Sequence, residues 1–134
     1  MRFVDSNVWM YAISKLADPK KKLQASQVVA SHAVTVSTQV INEVCHNLRR
    51  KSGFTEKEVV QIIESFYDNR IVVPVDQASM MKACELRGRY SLSFWDSQLL
   101  ACALLAGCTI FESEDMDDGL LVEGALRISN LFKR

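Results

Sequence analysis

The sequence predicts an α/β fold: a three-layer α/β/α sandwich on a central, mostly parallel sheet, as one domain over residues 1–134. Three observations lead there. Short β-branched or apolar runs recur along the chain: "RFV", "AVTVST", "RIVVPV" and "CTIFES". Stretches with helical periodicity and recognisable caps separate each run from the next. Two prolines and five glycines leave few breaks, and no linker, repeat or low-complexity segment appears. Short strands alternating with helices build a parallel sheet, and 134 residues suffice for a single core.

Each element has a local reason. Residues 2–5 read as a strand and 7–16 as a helix, with a turn at Ala17-Asp18-Pro19. Residues 20–32 are helical, with Leu23, Val28 and Val29 facing inward. The β-branched run 33–38 is a strand. Ser37-Thr38 caps a helix over 39–51 that stops near Gly53. Thr55 with Glu58 three residues on is a capping box opening the helix in 54–68. Residues 70–75 form a strand, and Asp76 caps a helix from 77 to about 90. A strongly apolar helix begins at Ser93 or Phe94 and ends at Ala106, with Gly107 as its C-cap. Residues 108–113 are a strand, and "ALRIS" at 125–129 supplies a fifth after the acidic loop "EDMDDG".

Composition excludes several classes. The longest apolar run, "LLACALLAGC", is interrupted by small residues and fits a buried helix better than a membrane span. The N-terminal stretch lacks a signal-peptide pattern, so a cytoplasmic protein is expected. Cys45, Cys84, Cys102 and Cys108 form no C-x-x-C pair, sit in apolar patterns and read as buried free thiols. His32 and His46 lack zinc-ligand spacing to them. The formal net charge is zero, so no global footprint for nucleic acid exists. Locally, Lys20-Lys21-Lys22 and Arg49-Arg50-Lys51 are basic clusters, with Arg87, Arg89 and Arg127 scattered beyond them. Either solvated helix ends or phosphate steering would account for them.

The acids are the informative residues. Asp5 ends the first strand, and Glu43 lies one turn into the helix after the second, beside Val40, Ile41 and Val44. Asp96 sits in the first turn of the most apolar helix, and Glu114-Asp115 follow the fourth strand. Singly, Asp5 could be a helix cap, Asp96 a dipole partner and Asp115 a loop residue. Together, distant segments deliver carboxylates to one edge of the sheet, where an open α/β fold binds its ligands. Clustered like charges cost several kcal/mol unless a cation neutralises them. An all-oxygen set points to Mg²⁺, or Mn²⁺, rather than zinc. Such an ion activates water and stabilises phosphoryl charge, as phosphodiester hydrolysis requires. No G-x-S-x-G, P-loop or G-x-G-x-x-G motif offers another chemistry. Trp95, preceding Asp96, reads as a packing residue that orients the acid rather than a base-stacking platform.

"FVDSNVWMYA", "STQVINEVCHNL", "SFWDSQLLACALLAGC" and "IFESEDMDDG" occur in that order and resemble the four motif segments of PIN-domain ribonucleases, most closely the VapC-type toxins of bacterial toxin–antitoxin pairs. "DDGLLVEGALRISNLF" is similar to that subgroup's ending. The resemblance implies a metal-dependent endoribonuclease with Asp5, Glu43, Asp96 and Asp115 as its acids. Ser6 would help position metal water or phosphate. At the fourth position "SEDMDD" offers Glu114, Asp115, Asp117 and Asp118, and alignment to the family pattern selects Asp115. The resemblance further implies a homodimer, an RNA substrate and inhibition by a small cognate antitoxin. A catalytically silent RNA- or protein-binding module and a DNA nuclease are the alternatives on the same fold.

Overall fold

The computed structural model describes residues 1–31 and 33–134. His32, at the expected end of the second helix and one of the two histidines weighed as zinc ligands, lies outside the described residues. The chain runs β1 (Arg2–Val4), α1 (Ser6–Ile13), α2 (Pro19–Val29), β2 (Val34–Ser37), α3 (Thr38–Lys51), α4 (Glu56–Asn69), β3 (Ile71–Val73), α5 (Gln77–Arg89), α6 (Phe94–Leu105), β4 (Ile110–Glu112), β5 (Leu121–Val122) and β6 (Leu126–Ser129). A 3-10 turn, Leu131–Lys133, follows. The strand order is β3-β2-β1-β4-β6-β5. All neighbouring pairs are parallel except β5 with β6. Helices cover both faces and complete the α/β/α sandwich.

The caps act as their residue types dictate. Thr55 Oγ1 accepts from the Glu58 N–H while the Glu58 carboxylate accepts from the Thr55 N–H, the reciprocal pair of a capping box. Ser37 caps α3, Asp76 caps α5 and Ser93 caps α6. Gly107 takes φ +79° after α6, a left-handed conformation open to glycine without a Cβ penalty. At the centre, Phe3 of β1 stacks on Phe111 of β4 with ring centroids 5.0 Å apart, both fully buried.

Three local expectations change. Leu23 is exposed, because the inward stripe of α2 passes through Ala25, Val28 and Val29. Leu23 lies about 200° around the helix from Ala25. Cys84 is exposed, whereas the other three thiols are buried. A sixth strand exists: Leu121–Val122 pairs antiparallel with β6. Glu123, Gly124 and Ala125 join them, the first two left-handed at φ 53° and 66°, and the Ala125 N–H closes the turn on the Val122 carbonyl. Among the described residues no helix is long and apolar enough to cross a membrane.

The topology selects one location. From β1 the sheet extends through β2 and β3 on one side and through β4, β6 and β5 on the other. The C-terminal end of β1 is therefore the switch point, where the flanking connections diverge and leave a crevice. Asp5 occupies it.

Candidate metal centre

Asp5 follows the last residue of β1 and is held from both flanks. Its backbone N–H donates to the Glu112 carbonyl of β4 at 3.0 Å. Its Oδ1 accepts from the Ser6 N–H at 2.7 Å, and its Oδ2 accepts from Ser113 Oγ at 2.8 Å. Asp5 is thus the N-cap of α1 as well as the carboxylate that closes β1. The capping bond engages one oxygen, from the first N–H of the helix, and Ser113 holds the other. The side chain is buried, which raises its pKa from 3.8 to about 6. Burial contributes most, the hydrogen bonds from Ser113 and Ser6 oppose it, and the charges of Glu43 and Asp96 add to the rise.

Glu43 reaches the site from α3. Ser6 Oγ donates to its Oε2 at 2.8 Å, and Gln39 Nε2, one turn earlier, donates to its Oε1 at 3.0 Å. Asp96 stands in the first turn of α6, where Ser93 Oγ caps its backbone N–H at 3.0 Å. Asp115 joins from the loop after β4: Asn7 Nδ2 donates to its Oδ2 at 3.0 Å, and its N–H donates to Ser113 Oγ at 3.2 Å. Asn7 Nδ2 also lies 3.4 Å from Asp5 Oδ2.

Ser6, Asn7 and Ser113 therefore stitch Asp5, Glu43 and Asp115 together. Sequence reasoning singled out Ser6 and missed the other two. The signal for Asn7 was its place in "DSN"; Ser113 carried none beyond its position at a strand end.

The competing acids of the loop are engaged elsewhere. Glu114 accepts from Lys21 Nζ at 2.7 Å and from the Tyr11 hydroxyl at 2.8 Å. Burial works to raise its pKa, but Lys21 and Tyr11 outweigh it and hold the carboxyl below its ordinary value. Asp118 Oδ1 accepts the Asn130 N–H at 2.7 Å. Asp117 is exposed and its carbonyl accepts the Leu120 N–H. Of the four, Asp115 is the one whose carboxylate is bonded into the Asp5 network; Glu114 meets it only through its backbone N–H, which donates to Asn7 Oδ1.

Among the described residues, no three Asp, Glu, His or Cys side chains stand together closely enough to hold an ion as they are set. Ser6 bridges Asp5 to Glu43, and Asn7 bridges Asp5 to Asp115. None of the ion pairs among the described residues involves Asp5, Glu43, Asp96 or Asp115. A buried carboxylate with like charges beside it and no cationic partner suits a cation, and its oxygen donors suit a hard divalent one.

Other expectations change at the periphery. Trp95 is 64% exposed and Phe94 58%, so Trp95 is not a packing residue. Arg49 is engaged in holding the fold: it donates to the Phe54 carbonyl at 2.7 Å and pairs with Glu56 at 2.6 Å. Arg50 and Lys51 remain exposed at the end of α3. Glu112, which sequence reasoning missed, is a fully buried carboxylate at the end of β4. Arg134 Nη2 lies 2.9 and 2.8 Å from its two oxygens. Arg2 Nε lies 3.4 Å from Oε1 without the alignment of a hydrogen bond.

The sequence model of the PIN domain matches residues 2–118. No curated protein matches the sequence. Among solved structures, a toxin–antitoxin complex from Klebsiella pneumoniae superposes with a TM-score of 0.72 at 15% identity, covering 98% of each chain. VapC20 of Mycobacterium tuberculosis, a sarcin-ricin loop cleaving toxin, gives 0.65 at 22% identity over 83% of this chain and 87% of that one. FitAcB from Neisseria gonorrhoeae gives 0.70 at 13% identity over the whole of both chains. At these identities the likeness is one of fold.

Proposed function

This chain belongs to the PIN-domain family, and we propose that it is a divalent-metal-dependent endoribonuclease, the toxin of a toxin–antitoxin pair. The observation that carries the reading is Asp5: a buried carboxylate at the sheet's switch point, its pKa raised to about 6 by burial and, in smaller part, by Glu43 and Asp96, with no cation among the described residues paired to it. Asp5 and Asp96 would hold the ion directly, with Glu43 and Asp115 completing the site through it or its waters. Mg²⁺ is the expected ion and Mn²⁺ a substitute. When bound, the ion supplies an activated water and neutralises charge on the phosphoryl oxygens.

The chain's own residues prepare that site. Ser113 and the Ser6 N–H stabilise the ionised form of Asp5, so the carboxylate is available at neutral pH despite its burial. Ser6 Oγ and Gln39 fix the two oxygens of Glu43. Asn7 holds Asp115 toward Asp5. Arg50 and Lys51, exposed in the last turn of α3, would attract RNA phosphates. Toxin–antitoxin proteins among the structural neighbours support an antitoxin partner, and the RNA-cleaving neighbour supports RNA over DNA. A homodimer in the cytoplasm completes the proposal.

The test is digestion of structured RNA and of DNA, side by side, with Mg²⁺ or Mn²⁺ and with EDTA. RNA cleavage that disappears in EDTA and in Asp5→Asn is the expected result. Cleavage undiminished by chelator overturns the metal mechanism, and preference for DNA overturns the substrate.

A further inference from the structure

A cleft of about 790 Å³ opens beside Glu43, walled by α3, α5 and α6. That is within the usual size range of small-ligand sites. Two exposed aromatic rings stand at it: Phe94 and Trp95 pack edge to face with centroids 5.1 Å apart. The Arg87 guanidinium lies over the Phe94 ring at 4.3 Å and donates to the Phe94 carbonyl at 3.4 Å. The cation is thereby fixed at the aromatic rim. Asn42 and Gln98 add side-chain amides to the lining. Gln39 ties the cleft to the acids, donating to Glu43 at 3.0 Å and to the Trp95 carbonyl at 3.5 Å.

The chain uses its two tryptophans differently. Trp9 is 4% exposed, packs edge to face on Phe66, and donates its indole N–H to the Val4 carbonyl. Trp95 has 64% of its surface in solvent, next to a proposed metal ligand. A large ring left in water beside a reactive site is available to a ligand.

We propose that this cleft is a nucleobase subsite, in which the base flanking the scissile phosphate of single-stranded RNA stacks on Trp95 while Arg87 faces its phosphate. The inference rests on the ribonuclease reading and adds to it the place where substrate bases are held. Phosphate and base differ in their needs, and the cleft meets both: a fixed cation for the one, aromatic faces for the other, and amides for base edges. A base stacks on an aromatic face whatever its identity, and RNA recognition of unpaired bases depends on such faces. Because Glu43 lies in the wall, a base seated here holds its nucleotide beside the acids. An apolar polypeptide segment would use the rings but would gain nothing from that adjacency.

The experiment measures binding of a fluorescently labelled single-stranded RNA 12-mer in an Asp5→Asn background, so that binding is read without cleavage. Trp95→Leu should weaken binding by about 5- to 150-fold, the range for one base–aromatic stack. Trp95→Phe should fall between. A scan with one abasic residue at each position should show a loss concentrated at one site when Trp95 is present, and no such loss in Trp95→Leu. The scan keeps the test open should the leucine variant fold poorly. Equal affinity across the three proteins, or an abasic scan without a sensitive position, overturns the subsite and leaves the cleft to a polypeptide. Cleavage by the protein with Asp5 intact is measured separately. Its absence, with Trp95-dependent binding retained, removes the ribonuclease reading while the base subsite stands.

Discussion

Ser113 Oγ donates a 2.8 Å hydrogen bond to Asp5 Oδ2 across 108 positions of sequence. This bond favours the ionised carboxylate and opposes the burial that raises its pKa. Ser113→Ala removes it and should lift Asp5 further above about 6, by roughly one pH unit for a bond to a charged group. The acid limb of the pH–cleavage profile should move upward accordingly. An unmoved limb, with activity otherwise retained, would show that Ser113 does not act on Asp5.

Asp5→Asn should stabilise the metal-free protein at neutral pH. The folded pKa of Asp5 lies above its ordinary value, so ionisation opposes folding. Below pH 3.8 the group is protonated folded and unfolded, and no penalty exists. The penalty develops between 3.8 and about 6 and is complete above that. Two pKa units correspond to about 3 kcal/mol. Asparagine keeps an acceptor for the Ser6 N–H and serves well as an N-cap. In EDTA, the Tm of Asp5→Asn should exceed wild type at pH 7 and approach it near pH 4. A lower Tm at pH 7 would place the Ser113 bond to the ionised carboxylate above the burial penalty. Asp5→Ala sacrifices the cap as well, at about 1 kcal/mol, and should gain less.

The contrast between Asp5 and Trp95 marks what a sequence can convey. Asp5 was legible because a carboxylate closing a core strand conflicts with its surroundings, and Thr55 with Glu58 because the capping box is local. Asn7 and Ser113 were not, because small polar residues carry no periodicity and the bonds each makes with the other or with Asp5 and Asp115 depend on how β1 lies beside β4. Trp95 misled by its neighbours: α6 is buried from Ser97 to Ala103, whereas its first turn holds Phe94 and Trp95 in solvent. The hairpin β5–β6 escaped because a two-residue strand is too short to show alternation.

Glu112 is fully buried between two arginines, so a partner's removal should be felt. Arg134→Ala leaves Arg2 as the remaining cation, poorly aligned at 3.4 Å. Arg134 is itself half-exposed, which discounts the pair, and a loss of about 1–3 kcal/mol in urea unfolding is expected. Lys133→Ala, next to it in sequence, should stay within about 0.5 kcal/mol. Equal effects would remove the special role of the buried pair.

The three basic residues ending α3 should separate. Replacing Arg50 and Lys51 together by alanine should weaken RNA binding and reduce its salt dependence, by about 0.7 in the log–log slope for each phosphate no longer neutralised. Arg49→Ala should instead lower stability, because its guanidinium holds Phe54 and Glu56. A salt slope unchanged in the double variant would locate the phosphate path elsewhere.

The most direct measurement is calorimetric titration of Mn²⁺ into wild type, Asp5→Glu and Asp5→Asn, at pH 6 and pH 8, in buffers of different ionisation heat. An ion held by Asp5 displaces whatever proton that carboxyl carries. With a pKa of about 6, wild type should release about half a proton per ion at pH 6 and almost none at pH 8. Binding should weaken at least tenfold in Asp5→Asn, and in Asp5→Glu as well, because a longer side chain misplaces the oxygen for an ion strict in its geometry. Equal affinity in all three proteins, with no proton release at pH 6, would contradict a metal centre at Asp5.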